Sequence, residues 1–171
     1  MIRDRVRKEW SWHEGVITAL AFGGFFIILG FAALIPGVFS QTEAFFKDLT
    51  TVSYPWGATS TISLVAPGSP SAHLDFYSAV MNFCLAIGIL QIVILALRFA
   101  FHSPVRRIAE TIGNLIFWLG AALLANVFLL AGTINGWFQF WSLLILLLGV
   151  SLVARFLVHL ATRSYRRRVP M

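Results

Sequence analysis

The stretch TIGNLIFWLGAALLANVFLLAGTINGWFQFWSLLILLLGVSLVA, residues 111–154, contains 44 residues and no charged side chain. About 20 apolar residues cover the roughly 30 Å hydrocarbon core of a bilayer, so this stretch is too long for one crossing. The only turn signal near its middle is Thr133-Ile134-Asn135-Gly136. The stretch therefore predicts a helical hairpin, with one membrane span at 110–132, a turn at 133–136 and another span at 137–160.

Two further uncharged runs predict two more spans. One lies between Gly15 and Thr42 and gives a span at 15–36; the other lies between Asp75 and Arg98 and gives a span at 75–98. Of the 171 residues, 58% are hydrophobic and 12% are charged. Ordinary soluble domains have about 45–50% apolar and about 25% charged residues, so the composition argues against such a domain. It predicts an all-α membrane protein, a bundle of four transmembrane helices.

The basic residues predict the orientation. Twelve of the thirteen fall on one side of the membrane in this arrangement, and Lys47 alone falls on the other. Because cytoplasmic loops carry an excess of Lys and Arg, we expect an N-in/C-in topology in the plasma membrane, with both termini cytoplasmic. The remaining segments are then a basic cytoplasmic N-terminus at 1–14, an extracytoplasmic loop at 37–74, a cytoplasmic loop at 99–109 and a basic cytoplasmic tail at 161–171.

Three motifs predict where helices begin. Ser11–Glu14 and Ser40–Glu43 have the S-x-x-E form of a capping box, and Ser103-Pro104 places a proline directly after a capping serine. We expect the first span to begin at the first box and the third span to begin after Ser103. Glu14 and Glu43 then have a structural role.

The extracytoplasmic loop is predicted to be structured. Thr42–Leu49 has the pattern of a short amphipathic helix, and the β-prone segments Thr50–Tyr54 and Thr59–Val65 flank the turn residues Pro55–Ala58. A two-stranded hairpin is marginally stable by itself in water, and its open edges favour further pairing. We therefore expect the hairpin either to fold back on the ends of its own spans or to pair with another subunit.

Neutral amides are the main polar groups predicted to lie inside the membrane. An ionisable side chain near the bilayer midplane is costly and usually functional, and the four spans contain none there. This argues against a proton-coupled pump, a voltage sensor or a carboxylate-based exchanger. The candidate polar residues are Asn82, Asn114, Asn126 and Gln139. They are expected either to form hydrogen bonds between helices or to line a narrow aqueous pore.

Small residues at helical spacing predict where spans approach one another closely. The candidate pairs are Ala19 with Gly23, Gly113 with Gly120, and Ser142 with Gly149. Residues four or seven apart share a helix face, and small side chains there allow close packing of backbones. Packing within one bundle is the favoured interpretation, and a subunit interface is the alternative.

Motifs for catalysis or cofactor binding are absent from the sequence. Cys84 is the single cysteine, and His73 and Asp75, although two residues apart, are too few to form a metal site. No phosphate-binding loop, dinucleotide fingerprint or hydrolase motif occurs. We expect no enzymatic activity, no metal and no cofactor.

The partners expected from charge are lipids. The tail arginines Arg163, Arg166, Arg167 and Arg168 should attract anionic headgroups on the cytoplasmic side. The excess of Lys and Arg that is usual in cytoplasmic segments already explains this charge, so no nucleic-acid partner is expected. The sequence predicts a non-catalytic membrane protein that self-associates or acts as an assembly subunit in a membrane complex. The alternative is a homo-oligomeric channel lined by neutral polar side chains.

Overall fold

The computed structural model describes residues 2–56 and 60–168. The side chains of residues 2–13, 54–56, 60, 159 and 161–168 lie outside that description. The chain order is α1 (Ile2–Leu34), α2 (Val38–Lys47), β1 (Leu49–Trp56), β2 (Ser60–Pro67), a 3-10 turn (Pro70–His73), α3 (Leu74–Ala100), α4 (Val105–Leu124), a π-helical turn (Ala125–Leu129) and α5 (Ile134–Arg168).

Four helical segments are long and apolar enough to cross a membrane, which confirms the predicted number of spans. They are Glu14–Leu34, Pro70–Ala100, Val105–Leu129 and Ile134–Val158. We call the end of the spans that carries α2 and the two strands the hairpin side. The opposite end, where Arg98, Arg106, Arg107 and Arg155 lie, is called the arginine side.

The four spans form an open row. Helix α1 packs on α3, α3 packs on α4, and α4 packs on α5, while the described part of α1 makes no extensive contact with α4 or α5. Only 6% of the most apolar window is buried in the first and last spans, against 22% and 28% in the two middle spans. The described residues of one chain therefore form a row of four spans and not a closed bundle.

Each contact between neighbouring spans includes a glycine. A β-carbon added at Gly24 or at Gly120 would lie 2.7 Å from Leu90 Cδ1 or 2.6 Å from Leu147 Cδ1, respectively. One added at Gly88 would overlap the side chain of Leu119. Apolar lipid provides no hydrophobic force between spans, so they associate mainly by close packing, and glycine lets a leucine lie against the backbone.

The hairpin has the predicted antiparallel form. Leu49 pairs with Pro67 and Trp56 pairs with Ser60, so both strands are longer than predicted. Pro55 and Trp56, predicted as turn residues, belong to β1, and residues 57–59 of the predicted turn and second strand lie outside the described residues. Successive side chains point to opposite faces of the sheet. Ile62, Leu64 and Ala66 share the face turned towards the helices, and the opposite face carries exposed Thr and Ser residues.

Strand β2 lies over the hairpin-side end of α5. The indole Nε1 of Trp137 donates a hydrogen bond of 3.2 Å to the carbonyl of Val65. The chain therefore covers β2 with its own last span. Strand β1 pairs with β2 alone among the described strands, so its outer edge stays open.

The helix starts differ from the predicted ones. Helix α1 already begins at Ile2, so the Ser11–Glu14 box lies inside a helix, and α2 begins at Val38. The Ser40 hydroxyl donates to the Gly37 carbonyl at 2.9 Å, so this serine does not cap an N–H group. The two capping-box interpretations are therefore wrong. Helix α4 begins at Val105, one residue after Pro104, with no side-chain cap from Ser103.

Helix α5 starts at Ile134, three residues before the predicted fourth span. The Thr133 hydroxyl accepts a 3.0 Å hydrogen bond from the Gly136 N–H, as an N-cap residue does for the third residue of a helix. The preceding Gly132 has a φ of 61°, a left-handed conformation, and a β-carbon there would lie 3.1 Å from Ser71 Cα. Glycine thus permits both the tight turn and its contact with the 3-10 turn.

Candidate functional site

The best-formed cluster of side chains lies on the hairpin side and is centred on Phe45 of α2. Phe45 is 5% exposed. Its ring stacks on Phe76 at a centroid distance of 4.6 Å and meets the rings of Tyr77 and Trp137 at 6.1 and 5.7 Å. Aromatic pairs at these separations add to the stability gained from burial. Helix α2 is thereby fixed against α3 and α5.

A contact between Asp48 and His73 fixes the start of α3 next to this cluster. Asp48 Oδ2 lies 2.9 Å from His73 Nε2 and accepts a 2.8 Å hydrogen bond from the Ser69 N–H. The Ser69 N–H bond and then the His73 contact lower the pKa of the Asp48 carboxyl below its ordinary value of 3.8. His73 therefore has an electrostatic partner in Asp48, 25 residues away, and the short-range pairing with Asp75 considered from the sequence is not observed.

A groove of about 830 Å³ opens beneath α2 and β2. We call it the aromatic groove. Its walls come from α2, β2, α3, the π-helical turn and the first three turns of α5, and nearly all of its lining side chains are apolar. The lining residues are Phe45, Phe46, Leu49, Leu64, Val65, Phe76, Tyr77, Val80, Leu129, Trp137, Phe138, Phe140, Trp141, Ser142, Leu144 and Ile145.

The few polar side chains in the lining of the groove include Tyr77 and Ser142. The Tyr77 hydroxyl is buried and has no hydrogen-bond partner within the described part of the chain. No group of three or more His, Cys, Asp or Glu side chains that could hold a metal ion occurs among the described residues. The lining of the groove is therefore mainly apolar.

Of the four predicted amides, one is half-buried and hydrogen-bonded, and three are exposed. Asn114 is half-buried, and its Oδ1 accepts a 2.5 Å hydrogen bond from Arg155 Nη2. Asn82, Asn126 and Gln139 are exposed on three different spans. None of these three side chains has a hydrogen-bond partner among the described residues. They do not meet in one lumen within a single chain.

Asn126 lies in an irregular part of its span. The Leu130 N–H donates to the Ala125 carbonyl at 3.1 Å, a spacing of five residues that defines the π-helical turn. Such turns insert one extra residue and change the direction of the side chains that follow. The amide spacing in the sequence could not indicate this turn.

Gln139 and Ser142 do lie together. Both line a smaller depression of about 440 Å³ that adjoins the aromatic groove beside Ile62 and Leu64. The Ser142 hydroxyl donates to the Phe138 carbonyl at 2.9 Å, so its hydrogen-bond donor is satisfied within α5. Among the described residues, the Gln139 side chain of this surface has no hydrogen-bond partner.

The small residues also divide into two groups. Gly113 lies against Arg155, and Gly120 lies against Leu147, so this strip faces a neighbouring span. Ala19, Gly23, Ser142 and Gly149 are exposed, and a β-carbon added at Gly23 or Gly149 would meet nothing within 4 Å. None of these four faces a neighbouring span within the described residues: α1 contacts α3 through the adjacent Gly24, and α5 contacts α4 through Leu147.

Arg98 holds the turn between α3 and α4 on the arginine side. Its side chain is 8% exposed, and its Nη1 donates to the carbonyl of Arg107. Both carboxylate oxygens of Glu14 are also buried, without a hydrogen-bond partner in the described residues. The predicted lipid-contacting side chains of Arg163, Arg166, Arg167 and Arg168 lie outside the described residues, although α5 is continuous through Arg168.

Three features of the site escaped prediction from the sequence: the Asp48–His73 pair, the aromatic groove and the Arg155–Asn114 contact. Each joins residues more than twenty positions apart. The only local signals are an aspartate and a histidine at the two ends of a predicted hairpin. Comparison of the chain with protein-family models, with curated proteins and with solved structures finds no match.

Proposed function

We propose that this chain is a non-catalytic, multi-pass membrane protein that associates with further copies of itself, alone or as part of a larger membrane complex. The proposed topology places both termini and the arginine side in the cytoplasm and the hairpin side outside the cell membrane. Twelve of thirteen basic residues on one side support that orientation. The tail arginines then face anionic headgroups.

The observation that carries the proposal is the set of three exposed amides. Asn82, Asn126 and Gln139 have no partner among the described residues, whereas the inward-facing Asn114 is paired with Arg155. Lipid chains cannot form hydrogen bonds, so an amide that faces them stays unsatisfied at a cost in free energy. A second copy supplies the missing donors and acceptors.

The two end helices offer surfaces for such contacts. Helices α1 and α5 bury only 6% of their most apolar windows within the chain. The small residues Ala19 and Gly23 on one helix, and Ser142 and Gly149 on the other, are exposed on them. Small residues allow the close backbone approach by which spans associate in lipid. Symmetric pairing of identical surfaces is the commonest form of such association.

The experiment measures association within a bilayer. Donor- and acceptor-labelled copies are reconstituted together in vesicles, and energy transfer is recorded as the protein is diluted with lipid. An interhelical hydrogen bond contributes about 0.6 kcal/mol on average, so replacing all three amides should weaken association about twentyfold. The test variant is N82L/N126L/Q139L.

Ser142→Ala is the matched control. It removes a polar group from the same exposed surface as Gln139, but that hydroxyl is already satisfied by Phe138. We expect the control to keep the energy transfer of the unaltered chain. Equal energy transfer in the triple variant and the unaltered chain would contradict the proposal. A lack of energy transfer in the unaltered chain at every dilution would also contradict it.

A channel is the second candidate function, because the same exposed amides are neutral and would line a lumen between copies. Asn126 is then the first residue to change. Vesicles containing the protein should pass ions or small solutes, and Asn126→Leu should alter that flux. Vesicles that stay impermeable under a range of gradients would contradict the channel function, and the assembly role would remain.

A further inference from the structure

A second pocket lies on the arginine side between α4 and α5. Its volume is about 420 Å³, and it is lined by Arg106, Ala109, Glu110, Leu152, Arg155 and Phe156. We call it the arginine pocket. One part of its wall is charged, and the remainder is apolar.

Within the described residues, Arg155 leaves hydrogen-bond donors of its guanidinium without an acceptor. The side chain crosses α4 at Gly113, where the absence of a β-carbon leaves room for it. Its Nη2 donates to Asn114 Oδ1, while its Nε is buried and has no acceptor among the described residues. A guanidinium carries five N–H donors and no acceptor, so Arg155 is suited to an additional anionic partner.

The charges around the pocket leave an excess of positive charge. Arg106 Nε lies 3.2 Å from Glu110 Oε1, and Arg107 Nη1 lies 3.5 Å from Glu110 Oε2 on the same turn. One carboxylate therefore faces two exposed arginines, and Arg155 of the neighbouring helix has no carboxylate partner among the described residues. An anion in the pocket would be attracted by Arg155 and Arg106 and repelled by Glu110, and the two arginines and one glutamate of the lining leave a single net positive charge.

The depth of the pocket matches that of lipid phosphates. Arg155 follows Trp137 by 18 residues on α5, which corresponds to about 27 Å of helix at 1.5 Å per residue. This distance is close to the roughly 30 Å hydrocarbon thickness of a bilayer. When Trp137 lies at the interface of the hairpin side, Arg155 lies at the headgroup level of the opposite leaflet.

We propose that the arginine pocket binds the phosphate headgroup of one anionic glycerophospholipid. The phosphate oxygens accept hydrogen bonds from Arg155 and Arg106, and the first part of an acyl chain packs on Leu152 and Phe156. Basic pockets between spans on the positively charged side of membrane proteins bind anionic lipids in this way. The apolar wall favours a lipid over a free phosphate ion. The site is independent of the proposed self-association.

The experiment counts bound lipid on the intact chain. The delipidated protein in mild detergent is titrated with phosphatidylglycerol, with phosphatidylcholine and with inorganic phosphate, and native mass spectrometry and the thermal unfolding midpoint are recorded. We expect one phosphatidylglycerol to be retained per chain and to raise the midpoint, with smaller effects from phosphatidylcholine and none from inorganic phosphate. Equal effects from the two lipids, or protection by inorganic phosphate alone, would overturn the proposal.

Two neighbouring arginines provide a matched pair of variants. Arg106 lines the pocket and Arg107 does not, although both are exposed and both pair with Glu110. Arg106→Gln should weaken retention of phosphatidylglycerol about fivefold, and Arg107→Gln should weaken it clearly less. Both variants remove one surface charge from the same turn, so neither depends on a change in the core. An equal loss in the two variants would mean diffuse attraction of lipid by surface charge, which contradicts a defined site.

Discussion

Replacing Gly120 by valine should destabilise the chain, whereas the same replacement at Gly149 should not. Both glycines lie in the last two spans, and both were identified from the sequence as packing residues. In the structure Gly120 faces Leu147, and Gly149 faces open space. The pair therefore tests which faces of α4 and α5 are in contact.

The expected magnitude follows from the distances at Gly120. A β-carbon there would lie 2.6, 2.7 and 3.2 Å from Cδ1, Cδ2 and Cγ of Leu147. Carbon atoms in ordinary contact are about 3.5–4.0 Å apart, so Leu147 must withdraw by roughly 1 Å, and the two methyl groups of valine increase the crowding. Overpacking of this kind costs about 1–3 kcal/mol, and the better helix propensity of valine offsets only a few tenths of that.

The measurement is the free energy of unfolding in mixed detergent micelles, at a detergent excess that separates individual copies. Gly120→Val should lower the free energy by about 1–3 kcal/mol, and Gly149→Val should leave it unchanged or raise it slightly. A loss of the same size at both positions would refute the helix contacts described above. So would a loss at Gly149 alone.

Three further predictions concern single contacts. The pKa of the Asp48 carboxyl is lowered, so its contribution to stability is complete above the ordinary pKa of 3.8 and is lost as the pH falls through the lowered value. Near-UV circular dichroism of the aromatic cluster should show this acid transition. Asp48→Asn should abolish it. Asn114→Ala removes the acceptor of Arg155 and should cost about 1.5–3 kcal/mol in an unfolding titration, with an unchanged value contradicting the contact. Trp137→Phe keeps an aromatic ring but removes the hydrogen bond to Val65; it should cost about 1 kcal/mol and speed amide exchange in β2, and unaltered exchange would show that the bond does not hold the hairpin.

The four spans could be predicted because a membrane imposes a simple requirement on the chain. A segment that crosses lipid must be apolar over about 20 residues and must satisfy its own backbone, so uncharged length alone identifies it. The hairpin was predictable from alternating β-prone residues around Pro55–Ala58. The observed strands extend beyond the predicted ones by one or two residues at most ends.

The ends of the terminal helices were less predictable because a helix need not stop where its apolar part stops. Between Ile2 and Glu14, and between Val150 and Arg168, the chain contains neither glycine nor proline. Nothing in these stretches interrupts the backbone hydrogen bonds, so α1 and α5 continue well beyond the apolar windows. The capping-box pattern at Ser11–Glu14 is therefore not a helix start.

The face of a span that packs against a neighbour depends on single-residue differences. Gly23 and Gly24 are adjacent, but consecutive residues of a helix point about 100° apart. The sequence pairs Gly23 with Ala19, whereas the structure brings Gly24 to Leu90. The π-helical turn has a similar effect on Asn126, since it alters the helix face by one residue without a signal in the sequence. The Asp48–His73 pair depends on the folded loop as a whole.

The mass of the protein particle tests self-association most directly. It is measured in a mild detergent or in lipid nanodiscs and corrected for bound detergent and lipid. One chain has a mass of 19.0 kDa. Self-association predicts a protein mass that is at least twice that value and a whole multiple of it. In the N82L/N126L/Q139L variant, the mass should fall towards that of one chain. A protein mass of 19.0 kDa at every concentration, in the unaltered chain as well as in the variant, would contradict the proposed function.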